Sequence, residues 1–178
     1  MNETLRIIRE RRSCRSYKNE QIPDDILTAI IDAGLWAPTG MNNQDRHFTI
    51  IQDKAMLERM DKLARIKLPE EVLKRLTDRN NGNPDISIHY FAPTLIIISG
   101  GDASCTIAAE NICIAAQSLN IGSCMLGLTN ILFENDDTLA RDIKVPSGML
   151  PRIGVALGYI NKQTPEQERK PDQVTYLR

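Results

Sequence analysis

The chain has 178 residues, 42% of them hydrophobic and 25% charged, which is the size and composition of one soluble globular domain with a sizeable core. Its 22 Lys and Arg residues against 23 Asp and Glu residues give a formal charge of -1, so the basic excess typical of a nucleic-acid-binding protein is missing. No apolar run reaches the ~18–20 residues of a membrane span and the N-terminus has no signal-peptide core, so we expect a cytoplasmic protein without membrane contact.

The spacing of cysteines and histidines predicts neither a metal cluster nor a disulfide framework. The four cysteines and two histidines are scattered without a Cys-x-x-Cys pair: Cys14, Cys105, Cys113, Cys124, His47 and His89. We therefore expect reduced thiols that serve as small apolar residues, and no metal site.

A compact basic cluster follows the first predicted helix. Asn2 suits an N-cap, and the apolar spacing behind it predicts a helix over 3–10. The cluster Arg11-Arg12-Ser13-Cys14-Arg15 lies at the end of that helix or in the loop beyond it. Guanidinium groups bind phosphate or carboxylate bidentately and keep their charge at physiological pH. On these residues alone, an anion site and a solvated charged turn both remain open.

The next predicted helix, 23–35, leads into a loop, 36–44, that is rich in turn formers and side-chain amides. A surface turn accounts for its Pro, Gly and Asn residues. The carboxamides of Asn42 and Gln44, just before a predicted buried strand over 47–52, could instead read the hydrogen-bonding edge of a planar ligand. Both interpretations stay open at this point.

Charged amphipathic helices and a central strand make up the middle of the chain. Asp53 is predicted to cap one helix and Pro69 to begin another, and 80–84 breaks the helical pattern. The run Leu95-Ile96-Ile97-Ile98 lacks alternation. It therefore predicts a central strand over 94–99 that is covered on both faces.

The following helix, predicted over 103–119 with Asp102 or Ser104 as its cap, is apolar nearly all round. In a chain this small, so much apolar surface indicates a partner subunit, and we predict a homodimer built around this helix. Glu110 and Asn111 interrupt the apolar surface. We expect them to bond across helices rather than to catalyse.

The last third of the chain contains a strand and turn between glycines at 122–127, a strand over 151–158 and a polar tail, 161–178. The two glycines either bracket a ligand face or mark loop ends. Helices and strands alternate along 1–178 without hairpin signals or internal repeats. This order predicts a single α+β or α/β domain with helices on both faces of a sheet.

Six short motifs stand in order along almost the whole chain. They are R-R-S-x-R at 11–15, A-P-T-G-x-N-x-Q at 37–44, Ala92-Pro93, A-x-E-N at 108–111, G-S-C-x-x-G at 122–127 and R-K-P at 169–171. Each is weak alone, but together they resemble the nitroreductase family of flavoproteins. The resemblance implies an α+β, nitroreductase-like fold with a central mixed β-sheet flanked by helices, in an intertwined homodimer that binds FMN at the subunit interface.

The resemblance also implies which residues bind the cofactor. The phosphate, ribityl chain and pyrimidine edge would be held by Arg11, Arg12, Ser13 and Arg15, and the phosphate site would be completed by Arg169 and Lys170. The isoalloxazine ring would be covered from the partner subunit by Pro38, Thr39, Gly40 and Asn42, with Gln44 as a further cofactor-binding residue. A backbone amide for flavin N5 would come from the turn of Met125, Leu126, Gly127 and Leu128.

The implied function is an enzyme that takes hydride from NADH or NADPH and reduces a small acceptor, such as a nitroaromatic or a quinone, in a ping-pong cycle. The flavin would carry the chemistry, so no side-chain acid or base is needed. A flavin-binding carrier or sensor without turnover is the alternative. A nucleic-acid binder is disfavoured by the balanced charge and by only three Phe and four Tyr residues.

Two features depart from the family pattern. The usual Gln-Pro-Trp is here Gln44-Asp45-Arg46, for which we expect a local ion pair worth only ~0–1 kcal/mol if exposed. The chain is also short for the family, so we expect an open flavin pocket or one completed by residues 65–90. Trp36 and Tyr90 are candidate roof residues, with core packing as the alternative for each.

Overall fold

The computed structural model describes residues 1–79, 85–135 and 137–178. In these ranges the helices are α1 (Glu3–Glu10), α2 (Asp24–Leu35), α3 (Lys54–Lys67), α4 (Glu70–Arg79), α5 (Asp102–Ser118) and α6 (Thr138–Asp142), with 3-10 turns at Gly40–Asn42 and Gly127–Phe133. The strands are β1 (Arg46–Ile51), β2 (Thr94–Gly100), β3 (Gly122–Leu126) and β4 (Pro151–Gly158). The break predicted at 80–84 lies outside the described residues. Across the described ranges, no helix has the length and apolar composition needed to cross a membrane.

Two of the predicted helix caps are confirmed. The side chain of Asn2 accepts the N–H of Leu5 at 3.0 Å, and that of Asp53 accepts the N–H of Met56 at 2.7 Å. These contacts satisfy backbone donors that a helix cannot satisfy internally.

The cap predicted for α5 is wrong. Gly101 occupies the N-cap position, and it offers no side-chain hydrogen bond. Asp102 forms an ion pair with Arg152 at 3.0 Å, and the hydroxyl of Ser104 donates to Asp45 at 2.8 Å. Both candidate side chains are thus engaged in tertiary contacts instead of capping the helix.

The strands form one sheet in the order β1-β2-β4-β3, and all three strand pairings are antiparallel. A parallel bridge between Ser13 and Ser123 adds the segment after α1 to the β3 edge. The sequence predicted a mixed sheet. Among the residues that the structure describes, the four strands pair only in antiparallel fashion, and the parallel pairing is the single bridge between Ser13 and Ser123. The predicted central strand is confirmed, because β2 is buried from Thr94 to Ser99.

The two faces of the sheet belong to two apolar clusters, which explains why β2 lacks alternation in the sequence. Ile96 and Ile98 point toward α2 and α5, whereas Leu95 and Ile97 point toward α3. Val155 and Leu157 of β4, with Ile153 beside them, lie on the α5 face. Helices on both faces of a central sheet confirm the predicted α+β architecture.

The contact between α2 and α5 is close because Gly34 has no side chain. A Cβ on Gly34 would lie 2.8 Å from Cγ1 of Ile112 and 2.9 Å from its Cδ1. The side-chain amide of Asn111 also donates to the carbonyl of Ala33 at 3.0 Å. The cross-helix role expected of Asn111 is confirmed.

Replacing Gly34 with Ala should lower the free energy of unfolding by about 1–2 kcal/mol. Overpacking a filled core costs roughly 1–3 kcal/mol, which exceeds the ~0.5–1 kcal/mol that Ala gains over Gly inside a helix. Urea unfolding followed by circular dichroism measures the change.

The control is Ile112→Val, which removes the Cδ1 atom that the new methyl group meets. Because the two positions touch, the double variant should lose less stability than the sum of the single losses. Additive losses, or a Gly34→Ala protein as stable as wild type, would contradict the close contact of α2 with α5.

Candidate functional site

The basic segment after α1 is fixed to the edge of the sheet beside β3. The N–H of Cys14 donates to the carbonyl of Ser123 at 2.8 Å, next to the parallel bridge at Ser13. A side chain at Gly122 would lie within 2.9 Å of Cys14 Sγ, so this approach requires glycine. Because the bridge is parallel, the chain from Ser13 to Arg15 runs in the same direction as β3 toward the turn at 125–128.

The three guanidinium groups of the segment have different environments. Arg12 donates to the carbonyls of Arg9 at 2.6 Å and Arg11 at 2.9 Å, and lies 3.4 Å from Glu166. Its side chain therefore holds the segment and the tail together.

Arg11 and Arg15 are less fully paired. The buried Nε of Arg11 lies 3.3 Å from a carboxylate oxygen of Glu110, a cross-helix ion pair in which the two atoms do not form a hydrogen bond. Arg15 is exposed, touches the carbonyl of Ser13 at 3.5 Å, and lies 5.8 Å from the ring centroid of Tyr90. In the part of the chain that the structure describes, Arg15 has no carboxylate partner, so it presents an unneutralised cation.

The tail returns to the basic segment. The hydroxyl of Thr164 donates to the carbonyl of Ser13 at 2.9 Å. Arg169 follows on the exposed chain and lines a cleft of about 720 Å³ with Ile8 and Arg9 of α1. Lys170 is exposed beside it. The tail thus carries Arg169 to the α1 side of the basic segment.

The turn after β3 presents backbone to the same edge of the sheet. Leu126 is buried and Met125 partly buried, whereas Gly127 and Leu128 are exposed. The hydroxyl of Thr129 donates to the carbonyl of Leu126 at 2.8 Å and fixes the turn. The structure therefore brings the basic segment and the turn at 125–128 to one edge.

The loop at 38–44 lies at the opposite edge, where it leads into β1. Met41, Asn42 and Gln44 have positive φ angles of 49°, 55° and 49°. The hydroxyl of Thr39 accepts the N–H of Gln44 at 3.0 Å. Pro38, Gly40, Asn42 and Gln44 are exposed, and Thr39 is half-buried. The loop is thus a fixed, protruding feature rather than part of the chain's own core.

The ion pair predicted between Asp45 and Arg46 is wrong. Nη2 of Arg46 donates to the carbonyls of Leu35 and Ala37, each at 2.6 Å, and Asp45 accepts from Ser104. Arg46 therefore ties the end of α2 to the start of β1. This contact gives the unusual residue in the family's Trp position a structural role.

The two candidate roof residues behave differently. Tyr90 is partly buried against the apolar cluster on the α3 face, so core packing is confirmed for it. Trp36 is 80% exposed, so core packing is wrong for it. Its indole lies in solvent next to the exposed loop at 38–44.

The loop and the basic segment lie at opposite edges of the sheet in this chain. They adjoin the two edge strands, β1 and β3, which are separated by β2 and β4. Three strand spacings amount to roughly 14 Å. The loop also enters at the end where Arg46 pairs with Gly100, whereas Ser123 lies near the end where Gly122 pairs with Gly158.

Asp61 in α3 is a buried acid, although the charged residues of an amphipathic helix ordinarily face solvent. Asp61 is 9% exposed and its carboxylate lies 3.3 Å from Nε2 of His89, which is 4% exposed. The signal was available in the spacing, because Asp61 continues the buried stripe of Leu57, Met60 and Ala64.

The chain belongs to the nitroreductase family, whose family model matches residues 8–159. A nitroreductase from Bacteroides fragilis, solved with bound FMN, is 31% identical with a TM-score of 0.89, and 100% of both chains is covered. A nitroreductase from Desulfitobacterium hafniense, also solved with bound FMN, is 30% identical with a TM-score of 0.90 over 100% of both chains. A Bacillus subtilis protein named FMN reductase (NAD(P)H) is 26% identical over 99% of this chain and 76% of its own. The family and fold predicted from the motifs are confirmed.

The cysteines near the site are reduced and buried, as predicted. Burial raises the pKa of Cys14 and of Cys124, which flank the bridge to β3, above the usual value of 9.0. Burial likewise raises the pKa of Cys113 to about 11. The neutral thiol is therefore the stable form, and these groups lack the thiolate character of nucleophiles.

The buried thiol of Cys113 should make the protein lose stability at alkaline pH. Its pKa is about 11 in the folded chain against 9.0 normally, so the folded state binds more protons between these values. The stabilisation is complete below about pH 9 and is lost as the pH rises toward 11. Between pH 8 and pH 10.5, wild type should lose about 1–2 kcal/mol more free energy of unfolding than Cys113→Ala, measured by urea unfolding. Equal losses in the two proteins would contradict the argument.

Proposed function

We propose that this protein is an FMN-dependent oxidoreductase that takes hydride from NADH or NADPH and reduces a small acceptor such as a nitroaromatic or a quinone. The observation that supports it best is the exposed Arg15, fixed beside the turn after β3 and without a carboxylate partner in the described ranges. The relatives solved with FMN and the relative named FMN reductase support the same assignment. The cytoplasmic location expected from the sequence remains a prediction.

The residues at this edge have the chemistry that an FMN phosphate requires. Arg15 and Arg169 are exposed cations without a carboxylate partner in the described ranges, whereas Nε of Arg11 lies 3.3 Å from Glu110. Unneutralised guanidinium donors are well suited to a phosphate dianion. We assign the phosphate, ribityl chain and pyrimidine edge to Arg11, Ser13 and Arg15, with Arg169 and Lys170 completing the phosphate site. Arg12 supports them by holding the segment in place.

Bound FMN would supply a ring that accepts and donates a hydride, and the chain would supply charge and orientation. Arg15 would stabilise negative charge at the pyrimidine edge, and Tyr90 beneath its guanidinium would limit its movement. The turn at 125–128 would offer a backbone N–H to ring N5. Nicotinamide donor and acceptor would then use the same open face in turn, which is a ping-pong order without a side-chain acid or base.

A homodimer would complete this site. The loop at 38–44 lies at the wrong edge of the sheet to reach its own basic segment, so we propose that the partner subunit's loop covers the ring. Trp36, just before this loop, is 80% exposed and Met41, within it, is 93% exposed; Ile107 on the solvent-facing side of α5 is 42% exposed. Large apolar side chains left exposed on a chain are typical of a subunit interface.

The function is tested by titrating purified protein with FMN and then reducing it anaerobically with NADH or NADPH. We expect flavin fluorescence to be quenched on binding, the visible absorbance to bleach with a nicotinamide, and the absorbance to return on adding a quinone or nitroaromatic. Arg15→Gln should raise the Kd for FMN about ten- to hundredfold, because a charged hydrogen bond is worth ~1.5–3 kcal/mol.

Arg59→Gln is the control, because Arg59 is a partly exposed cation that pairs with Asp142 on α6, away from the site. It should bind FMN like wild type. Failure to bind FMN would contradict the cofactor assignment. Binding of FMN that neither nicotinamide reduces would instead favour a carrier or sensor and contradict the enzymatic assignment.

A charged side chain in place of Ile107, on the solvent-facing side of α5, should prevent formation of the proposed dimer. Ile107→Glu should sediment as a monomer at low micromolar concentration, because an unpaired carboxylate would be buried in the interface. Ile66→Glu is the control, since Ile66 is 79% exposed on α3, on the opposite face of the sheet. It should sediment as a dimer, like wild type. A monomeric wild type, or a dimeric Ile107→Glu, would contradict this interface.

A further inference from the structure

A second concave site lies on the other side of the Tyr90–Phe91 turn from Arg15. It is a cleft of about 610 Å³ between α3, the segment before β2 and residues near Gln21. Tyr90 faces Arg15, whereas Phe91, its neighbour in the chain, lines the cleft. Volumes of roughly 300–1,000 Å³ are typical of small-molecule pockets. The cleft therefore has the size of a binding site, and none of its lining residues is among those assigned to FMN.

The turn that presents Phe91 is strained and firmly held. Tyr90 and Phe91 have φ angles of 57° and 56°, a left-handed conformation that is strained for bulky residues. The hydroxyl of Ser87 accepts the N–H groups of His89 at 3.2 Å and Phe91 at 3.1 Å. Phe91 is 51% exposed although Ala92 beside it is buried. The turn thus fixes an aromatic face at the wall of the cleft.

A carboxylate that can accept a further hydrogen bond lies in the lining. Oδ1 of Asp61 accepts the N–H of Ile88 at 2.9 Å, and Oδ2 lies 3.3 Å from Nε2 of His89 without making a hydrogen bond. Nε2 is buried, whereas Asp61 lines the cleft. A hydroxyl group in the cleft could therefore donate to the carboxylate of Asp61.

The rim of the cleft offers one cation without an acidic partner. Glu58 pairs with Lys54 at 3.9 Å, and Asp85 pairs with Arg65 at 2.7 Å. The third acid in the lining is the buried acid on α3. Lys62 lines the cleft, is exposed, and has no acidic partner in the described ranges. An anionic group on a ligand would find its counter-charge there.

We propose that this cleft binds a small aromatic acid that carries a hydroxyl group. The ring would lie against Phe91, the carboxylate would pair with Lys62, and the hydroxyl would donate to the carboxylate of Asp61. These three contacts match three features of the cleft: an exposed aromatic face, a cation without an acidic partner in the described ranges, and a carboxylate that can accept a further hydrogen bond. The proposal does not depend on flavin chemistry.

The probe is 4-hydroxybenzoate, measured by saturation-transfer NMR and isothermal titration on the full-length protein as purified. Saturable binding is expected, with at least tenfold weaker binding of 4-hydroxybenzyl alcohol, which lacks the carboxylate. Benzoate, which lacks the hydroxyl, should bind at least threefold more weakly than the probe. No saturable binding, or equal binding of all three compounds, would overturn the proposal.

Variants locate the binding within the molecule. Lys62→Gln should weaken binding of the probe at least tenfold, and Phe91→Leu, which keeps apolar bulk without the ring, at least threefold. Lys74→Gln on the exposed side of α4 is the matched control and should bind like wild type. Binding that falls in Arg15→Gln and is unchanged in Lys62→Gln would assign the probe to the proposed flavin site and overturn the proposal.

Discussion

The candidate site depends on the backbone contact between the basic segment and the edge of β3. One hydrogen bond, from the N–H of Cys14 to the carbonyl of Ser123, is reinforced by the hydroxyl of Tyr17, which donates to the carbonyl of Cys14 at 2.8 Å. Gly122 permits the approach because any side chain there would collide with Cys14. The direction of this added segment sets where each following side chain points. It also covers an edge of the sheet that would otherwise expose unpaired backbone groups.

Three identical guanidinium groups acquire different roles through their neighbours. Arg12 is neutralised by carbonyls and by Glu166, so it stabilises the segment, and Arg11 shares its charge with Glu110. Arg15 has an aromatic ring beneath it and no acid beside it in the described ranges. A ring can orient a cation without neutralising it, which leaves the charge available to an anion. The proposed anion site thus depends less on the number of cations than on which of them lacks a carboxylate.

Local signals were sufficient for much of the fold. The caps at Asn2 and Asp53 and the unalternating run of β2 each reflect contacts within a few residues, and the structure confirms them. The strand order β1-β2-β4-β3 could not be read in the same way, because the neighbours β2 and β4 are separated by α5, β3 and α6. Pairings between distant segments leave no periodic trace in either segment.

The errors at the site share one physical cause, which is that a tertiary partner replaced the local one. Ser104 was expected to cap α5, but Asp45 from the start of β1 takes its hydroxyl. Arg46 was expected to pair with Asp45, but the carbonyls that end α2 take its guanidinium. Opposite charges that are adjacent in the sequence did not predict an ion pair, because groups from distant segments bind the same side chains. The spacing of residues in the sequence does not reveal these distant partners.

The placement of the loop at 38–44 and the basic segment at opposite edges has a thermodynamic consequence for the proposed dimer. If each flavin contacts the basic segment of one subunit and the loop of the other, the cofactor binds the dimer more tightly than the monomer. Linkage then requires that FMN strengthen subunit association by the same factor by which association strengthens FMN binding. The fixed conformation of the loop, with positive φ at Met41, Asn42 and Gln44, lowers the ordering cost on assembly. Cofactor binding and dimerisation would thus be one coupled equilibrium. Each subunit would contribute the basic segment at one edge of its sheet to one flavin site and the loop at the other edge to the second site.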